Sequence, residues 1–352
     1  MPDRPIKVLH IVRQYGPVGG MEGYVWHLTR QLADIGCTVA VVCESVHGQV
    51  HPSIAVTELG RIARKPRWLS MLRFSARAQR WLALHPHDGW LIHSHEATGF
   101  HQIITFHGPP FARIRDRGFW RRLSLRAVAN LWIEKRALCA RNVRAVIPNS
   151  SLIGDMLQNY YPCIGQRMAA PIVPGVETLP ARDMRDVPKH GGVIGFVGKE
   201  WKRKGLDVAI NIVRQMRLSR PQLELHVAGP EPEDVRHLFS DWQGGYRLLG
   251  ETDARPLFQS FDLLLHPARM EPFGMVITEA LSAAVPVVVS NRCGAQSEVQ
   301  HDRILSLDAP VENWSQACLS ALGRPQENYR RSWREVAEGH FSFYEGLGNQ
   351  GV

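Results

Sequence analysis

None of the six cysteines stands in a C-x-x-C pair, and no histidine lies near them at zinc-ligand spacing, so reduced, buried thiols are expected rather than a disulfide framework or a zinc site. No apolar run reaches the roughly 18 to 20 residues that a spanning helix needs, which confines any membrane contact to the periphery. The opening residues MPDRPIKVLHIV pass directly into a strand-like segment without the long apolar region and small-residue cleavage site of a secretory signal, so a cytoplasmic location is expected. Low-complexity tracts and solenoid-length repeats are missing. No G-x-G-x-x-G with an acid about 20 residues further on follows the first strand, which argues against a nicotinamide dehydrogenase. No D-x-D pair is present, so no metal is expected.

What is present is an ordinary globular composition, 44% hydrophobic and 21% charged over 352 residues, enough for two α/β domains. The formal charge of +9 is unevenly held. Arg61 to Leu84 carries seven Lys or Arg and no acid, and Phe111 to Arg141 carries nine against Asp116 and Glu134. These two segments exceed the whole net charge, so the basicity is a local patch.

Lys7 to Val12 reads as an apolar strand ending in the loop Gln14 to Gly20, after which Tyr24, Leu28 and Leu32 recur at helical spacing. Gly36 closes that helix, and Thr38 to Cys43 is a second buried strand, which completes a βαβ unit and implies a parallel sheet. Further strands are expected at Gly89 to Ser94, Gln102 to Phe106 and Ala145 to Pro148, the last leading into the helix cap Asn149-Ser150-Ser151. Pro171 to Gly192, with four prolines and three glycines, reads as a linker. The pattern then restarts with strands at Val193 to Val197, Leu223 to Ala228, Tyr246 to Leu249, Asp262 to His266 and Pro286 to Ser290, and a helix from Gly205 to Met216. The expected organisation is α/β, with two Rossmann-like doubly wound domains over residues 1–180 and 190–325. A helical tail over 326–352 is expected to pack back on the first domain.

The most informative stretch is His266-Pro-Ala-Arg-Met-Glu271-Pro-Phe-Gly-Met-Val-Ile-Thr-Glu279-Ala280. Read as a helix start with Pro272 in its first turn, it offers the N–H groups near Phe273, Gly274 and Met275 to a bound hydroxyl or phosphate. Eight residues of helix would set Glu279 about 80° around and about 12 Å along from Glu271. A second stretch, Phe196 to Asp207, runs from a strand through Lys199, Lys202, Arg203 and Lys204 into a helix, and suits neutralisation of a departing diphosphate.

These segments resemble retaining glycosyltransferases of family 4, whose E-x7-E motif Glu271 and Glu279 match and whose basic pair Arg203 and Lys204 match. Lys199 stands where that family often has arginine. The resemblance covers nearly the whole chain, most strongly from Gly192 to Glu298 and least between Pro52 and His101. It implies a GT-B fold, two Rossmann-like domains facing across a cleft, with the first domain taking the acceptor and the second the nucleotide sugar. Implied roles are Glu271 beside the donor sugar, Glu279 on the ribose, and Arg203, Lys204 and Lys199 on the diphosphate. Gly19-Gly20 resembles the family's glycine loop near donor phosphates or acceptor. Thr105-Phe106-His107-Gly108 resembles its histidine loop by the donor sugar, and His93-Ser-His95 resembles a further family segment. Retention with the departing phosphate as the base is implied; the motifs name neither nucleophile nor protein base.

The nearest subset is the lipopolysaccharide core glucosyltransferases that act on inner-core heptose, since HPA, E, G, V, EA, PV and Cys293-Gly294 recur in order. That subset implies a hexose donor such as UDP-glucose as substrate, no cofactor, and a lipid-linked or lipopolysaccharide-core acceptor; another envelope or exopolysaccharide pathway is the alternative. Phe111 to Arg141 mixes Phe119, Trp120, Leu123, Leu125, Val128 and Trp132 with Arg121, Arg122 and Arg126, which suits docking on the anionic inner face of the cytoplasmic membrane. A nucleic-acid surface is the rival reading of these bases, and no nucleic-acid motif accompanies it.

Overall fold

The computed structural model describes residues 6–118, 123–183, 186–324, 326 and 328–349. The chain divides into two compact units, residues 1–175 with 331–352, and residues 176–330.

In the first unit, β1 (Lys7–Ile11), β2 (Thr38–Cys43), β3 (Ile54–Glu58), β4 (Leu91–Ser94), β5 (Ile103–Phe106) and β6 (Ala145–Pro148) form one parallel sheet in the order β3-β2-β1-β4-β5-β6. The helices are α1 (Gly20–Asp34), α2 (Arg67–Leu84), α3 (Leu125–Cys139) and α4 (Ser151–Tyr160). Helical cover explains why Val8, Leu9, His10 and Ile11 are all buried instead of alternating in and out. Leu9, Ala40 and Val42 pack with Ala78 of α2, while Ile104 and Val146 pack with Ala137, Leu138, Ile153 and Leu157 of α3 and α4. Ser124 and Ser150 cap α3 and α4 through their hydroxyls.

The second unit repeats the pattern. Its strands β7 (Gly191–Val197), β8 (Gln222–Ala228), β9 (Tyr246–Leu248), β10 (Leu263–His266), β11 (Val287–Ser290) and β12 (Ile304–Leu305) lie parallel in the order β9-β8-β7-β10-β11-β12. A four-residue turn of helix, α5 (Trp201–Lys204), precedes α6 (Leu206–Arg217), and α7 (Met275–Ser282) and α8 (Val311–Ala321) follow. Phe196, Leu225 and Leu265 pack with Ile210 and Val213 of α6 and Trp314 of α8. The chain then returns to the first unit through α9 (Trp333–Asn349), which lies on α1. Tyr24 Oη and His340 Nε2 are 2.7 Å apart, and His27 stacks on Trp333.

The seam between units, at Gly175 and Val176, falls inside the Pro171 to Gly192 segment read as a linker. Residues 176–180 and 326–330, assigned from sequence to the first domain and the tail, belong to the second unit. Ser282 Oγ accepts from Leu179 N–H and donates to the Glu177 carbonyl, and Tyr329 N–H donates to the Leu281 carbonyl. Arg182, in the segment read as linker, is buried against Asp262 at 2.6 Å and also donates to the Phe261 carbonyl. Asp262 in turn accepts from Val193 N–H at the start of the sheet. Composition reads such a segment as free because its ties are to partners about 80 residues away. Replacing Arg182 with Met takes the counter-charge from the buried Asp262 carboxylate, so urea unfolding should show the second unit destabilised by about 3–5 kcal/mol; unchanged unfolding would mean that the pair does not hold the segment.

Candidate active site

Glu271 is not on the helix that its spacing to Glu279 suggests. Its backbone runs extended as a parallel bridge to Cys293, donating N–H to the Arg292 carbonyl and accepting from Gly294 N–H, both at 2.9 Å. The helix starts at Met275, after Gly274 at φ +102. A Cβ on Gly274 would lie 2.8 Å from Ile277 Cδ1 and 3.0 Å from Glu271 Cγ, so both backbone conformation and space require glycine there. Pro272 therefore precedes the helix, and the angular relation expected between the glutamates does not hold. Of the first-turn N–H groups after Gly274, that of Ile277 donates to the Gly274 carbonyl at 2.9 Å, and those of Met275 and Val276 come before the helix's own hydrogen-bond ladder begins.

Three nitrogens converge on Glu271 Oε2: Lys204 Nζ at 3.1 Å, an Arg203 guanidinium nitrogen at 3.3 Å and His266 Nε2 at 3.4 Å. Arg203 also donates to the Met270 carbonyl at 2.6 Å and grips Glu200 with two nitrogens. Lys204 reaches the cluster because its stem crosses Gly198, where a Cβ would meet Lys204 Cδ at 2.0 Å. Burial acts to raise the Glu271 carboxyl, but the His266 hydrogen bond and the charges of Lys204 and Arg203 outweigh it and hold the group well below the usual range. His266 is fully buried, and that burial lowers its pKa, so a neutral ring donates Nε2–H to the carboxylate. Its Nδ1 is buried with no hydrogen-bond partner among the described residues.

Glu279, half-buried on α7, has its carboxyl raised by burial and by nearby Asp253 and Glu177, with Lys204 and Arg255 opposing. Lys204 thus acts electrostatically on both glutamates. Lys199 does not join them: it is two-thirds exposed and pairs with Glu251. Phe273 is buried beside Glu271, its carbonyl accepting from Ala295 N–H.

In the first unit Gly19 caps α1 and Gly20 opens it, with Glu22 in the first turn. Gly20 has open space around its absent Cβ, and Gly19 faces only the Glu22 carboxylate, so neither glycine is demanded by packing. His107 follows β5 and belongs to a buried chain of imidazoles. His95 Nδ1 lies 2.9 Å from His107 Nε2, and His95 Nε2 lies 3.0 Å from His10 Nδ1. Burial lowers His10 and His107 to about 3 and holds His95 well below its usual value, so all three are neutral near pH 7. His10, His93 and His95 are close enough to suggest an ion site, but His93 already spends Nδ1 on Tyr344 Oη at 2.7 Å and Nε2 on Thr105 Oγ1 at 2.8 Å. Arg126 is exposed on α3; Arg121 and Arg122, with Phe119 and Trp120, lie outside the described residues.

Sequence reasoning missed His266 and His10 as site-forming groups, although each is a histidine in an otherwise apolar strand, a pattern that calls for a buried polar partner.

Two parallel six-stranded sheets in the same strand order, with an ion cluster following the strand ends of the second, define the GT-B fold of glycosyltransferases. Residues 18–178 match the family model described as Glycosyltransferase Family 4, and residues 191–324 match that described as Glycosyl transferases group 1, so glycosyltransferase models match the sheet of each unit. Among curated relatives, the lipopolysaccharide glucosyltransferase WaaG of Escherichia coli K12 is 30% identical over 164 residues, 44% of this chain and 43% of that protein. The D-inositol 3-phosphate glycosyltransferase of Corynebacterium efficiens is 31% identical over 133 residues, 33% of this chain and 31% of that one. The chain thus spans less than half the length of the curated relatives it matches. Similar solved structures include WaaG (TM-score 0.74, 18% identity, 97% of this chain and 98% of that). HepE of Anabaena with UDP and glucose is similar too (TM-score 0.71, 17% identity, 97% and 100%). At these identities the likeness establishes the fold.

The two glutamates should respond oppositely to neutralisation. The folded pKa of Glu271 lies below its unfolded value of about 4.3. Its stabilising contribution is complete above that value and is lost as pH falls toward the folded one. Glu271→Gln, which removes the carboxylate shared by Lys204 and Arg203 and leaves Arg203 only Glu200, should therefore lose roughly 2–4 kcal/mol at pH 7, a deficit that shrinks by pH 3. Glu279 is raised, so its charge opposes folding as pH rises, and Glu279→Gln should be as stable as the parent or more so at pH 7. Urea unfolding at pH 7, 5 and 3 reads both; equal losses in the two variants would contradict this electrostatic assignment.

Proposed function

We propose that this protein is a retaining, metal-independent hexosyltransferase, moving glucose from UDP-glucose to a lipid-linked or lipopolysaccharide-core saccharide. The observation that carries this reading is the convergence of Lys204, Arg203 and Glu271, with Glu279 within electrostatic reach of Lys204. Departure of a nucleoside diphosphate develops negative charge, and preorganised cations and helix-start amides at Phe273, Gly274 and Met275 answer it without reorganising. Glu271 holds both cations in place before donor binds. Glu279 keeps a carboxylate in a burying environment that disfavours its charge, and donated hydrogen bonds from ribose hydroxyls would repay that. Gly19 and Gly20 leave backbone open to substrate, His107 bonds a sugar hydroxyl, and Lys199 takes a peripheral diphosphate contact in exchange for Glu251. The departing phosphate oxygen accepts the acceptor's proton. The glucosyltransferase activity of WaaG on lipopolysaccharide and the UDP and glucose held by HepE support the choice of substrate class.

For the membrane, α3 supports docking on an anionic surface. Its inner face is committed to the unit, with Ala127, Ile133, Ala137 and Leu138 buried and Glu134 accepting from Phe111 and Ala112 N–H. Yet Leu125, Val128 and Trp132, at i, i+3 and i+7, are 74, 51 and 52% exposed beside Arg126, with Leu123 exposed just ahead. Arg136, one turn on, covers the Trp132 ring at 4.8 Å, so the apolar stripe is flanked by arginines at both ends. No helix among the described residues is long and apolar enough to cross a membrane.

Calorimetric titration with UDP, GDP and ADP and their glucose conjugates, without added metal, is expected to give saturable binding of the uridine compounds that Glu279→Ala weakens. No binding to any of them would remove the donor site. Lys204→Ala should lower kcat by about 100-fold. Serine at Leu125, Val128 and Trp132 together should reduce partitioning onto vesicles containing anionic lipid by roughly tenfold or more, and unchanged partitioning would make α3 ordinary surface.

A further inference from the structure

The turn that carries Arg203 and Lys204 is laced to the segment that carries Glu271, and one exposed residue does most of the lacing. The single turn α5 closes with Gly205 N–H on the Trp201 carbonyl. The next two carbonyls, at a helix end where intrahelical donors run out, are both taken by Arg269. Its backbone N–H donates to the Arg203 carbonyl at 2.8 Å, and its Nη1 donates to the Lys202 carbonyl at 2.7 Å. The same guanidinium grips Asp207 in a fork, Nη1 to Oδ1 at 2.8 Å and Nη2 to Oδ2 at 2.6 Å. Asp207 lies in the first turn of α6, where its carboxylate also accepts backbone N–H from its own residue and from Val208. Arg269 thus joins the end of α5 to the start of α6.

Between those two ends the backbone makes one sharp bend. Gly205 stands at φ +79, and a Cβ there would lie 2.1 Å from the Pro267 carbonyl oxygen, so the bend is pressed against the segment to which Arg269 belongs. Lys204 comes immediately before it. Of the three lysines in this loop, Lys199 pairs outward with Glu251 and Lys202 lies over the Trp201 ring, while Lys204, 15% exposed, reaches Glu271. A lysine stem follows the backbone at its root, so the bend decides which of them meets the carboxylate. Arg203 keeps further ties to Glu200 and the Met270 carbonyl; the Lys204 ammonium pairs with Glu271 alone among the described residues.

We propose that Arg269 is a positioning residue: by clamping both sides of the bend at Gly205 it holds Lys204 on Glu271, at the place where the departing diphosphate gathers charge. The diphosphate rests on the proposed glycosyltransferase reading; the placement of Lys204 does not. Arg269 and Asp207 are both nearly half-exposed, so their pair adds little to global stability and its effect is local.

Competitive acetylation of the full chain, read lysine by lysine by mass spectrometry, tests the placement without any substrate. In the parent, Lys204 should label slowly and the exposed Lys199 quickly. Arg269→Met should speed Lys204 several-fold relative to Lys199 and leave the urea midpoint unchanged. With UDP-glucose as donor and water as acceptor, UDP release should show kcat lowered about tenfold and KM changed less, because a misplaced cation costs most where charge develops. In a Lys204→Ala background the same substitution should cost nothing further. Unchanged labelling of Lys204 in Arg269→Met, or a kcat loss equally large with and without Lys204, would overturn the proposal. So would a lowered urea midpoint with all lysines labelling uniformly faster, the signature of a merely structural pair. Should Arg269→Met fail to fold, Asp207→Asn, which breaks the charged fork and spares both carbonyl bonds, is expected to shift labelling and kcat in the same direction. If the parent releases no UDP, labelling alone decides the placement; if it also binds none in the calorimeter, the glycosyltransferase reading falls instead.

Discussion

The second unit is organised around one carboxylate. Glu271 sits where three loops after parallel strands arrive together: the Lys199 to Gly205 turn after β7, the His266 to Glu271 segment after β10, and the Ser290 to Gly294 turn after β11. Taking that carboxylate away would leave two like charges side by side, with Glu200 answering Arg203 alone, so it is Glu271 that holds Lys204 and Arg203 together. The backbone bridge to Cys293 and the left-handed Gly274 fix the carboxylate in turn. The charge cluster and the loop geometry therefore depend on each other.

Both sheets carry the same order, the first strand central and the chain reversing direction across it, and both gather their polar groups beyond the carboxyl ends of the strands. That is where an open parallel sheet leaves a crevice for ligands. In the first unit His10, His93, His95 and His107 come from the ends of β1, β4 and β5; in the second, His266 ends β10 and Lys204 follows β7. Two different chemistries are thus built on one topology by changing the loops.

Most of the fold was legible because buried parallel strands announce themselves as short, continuous apolar runs such as TVAVVC and PVVVS, bounded by glycine and proline. The charges of the site were legible too, since Arg203, Lys204 and Glu271 serve no core and stand in motifs. Their geometry was not. Eight residues between two glutamates reads as helix unless Gly274 is known to sit at positive φ, a property of backbone that a bare glycine does not disclose. The ties of the linker were hidden for a related reason: Arg182 looks free until Asp262, far along the chain, is seen to bury it. Lys199 matched a motif position but pairs outward with Glu251, because an exposed lysine takes the nearest carboxylate when no ligand competes.

On the proposed function, the contrast between the units follows from what each would hold. A diphosphate needs full charge, and full charge needs counter-charge in its absence, which Glu271 supplies. A sugar hydroxyl is neutral and is read by direction, one proton given and one lone pair taken, so a charged group beside it would be wasteful of specificity. Burial that depresses His10 and His107 to about 3 keeps the imidazoles neutral and turns them from bases into oriented dipoles. Burial that would discharge Glu271 is overruled by three partners, while burial acting on Glu279 is not. The same desolvation therefore yields neutral imidazoles, a locked anion at Glu271 and a carboxyl at Glu279 whose charge is disfavoured, according to how many opposite charges lie within reach.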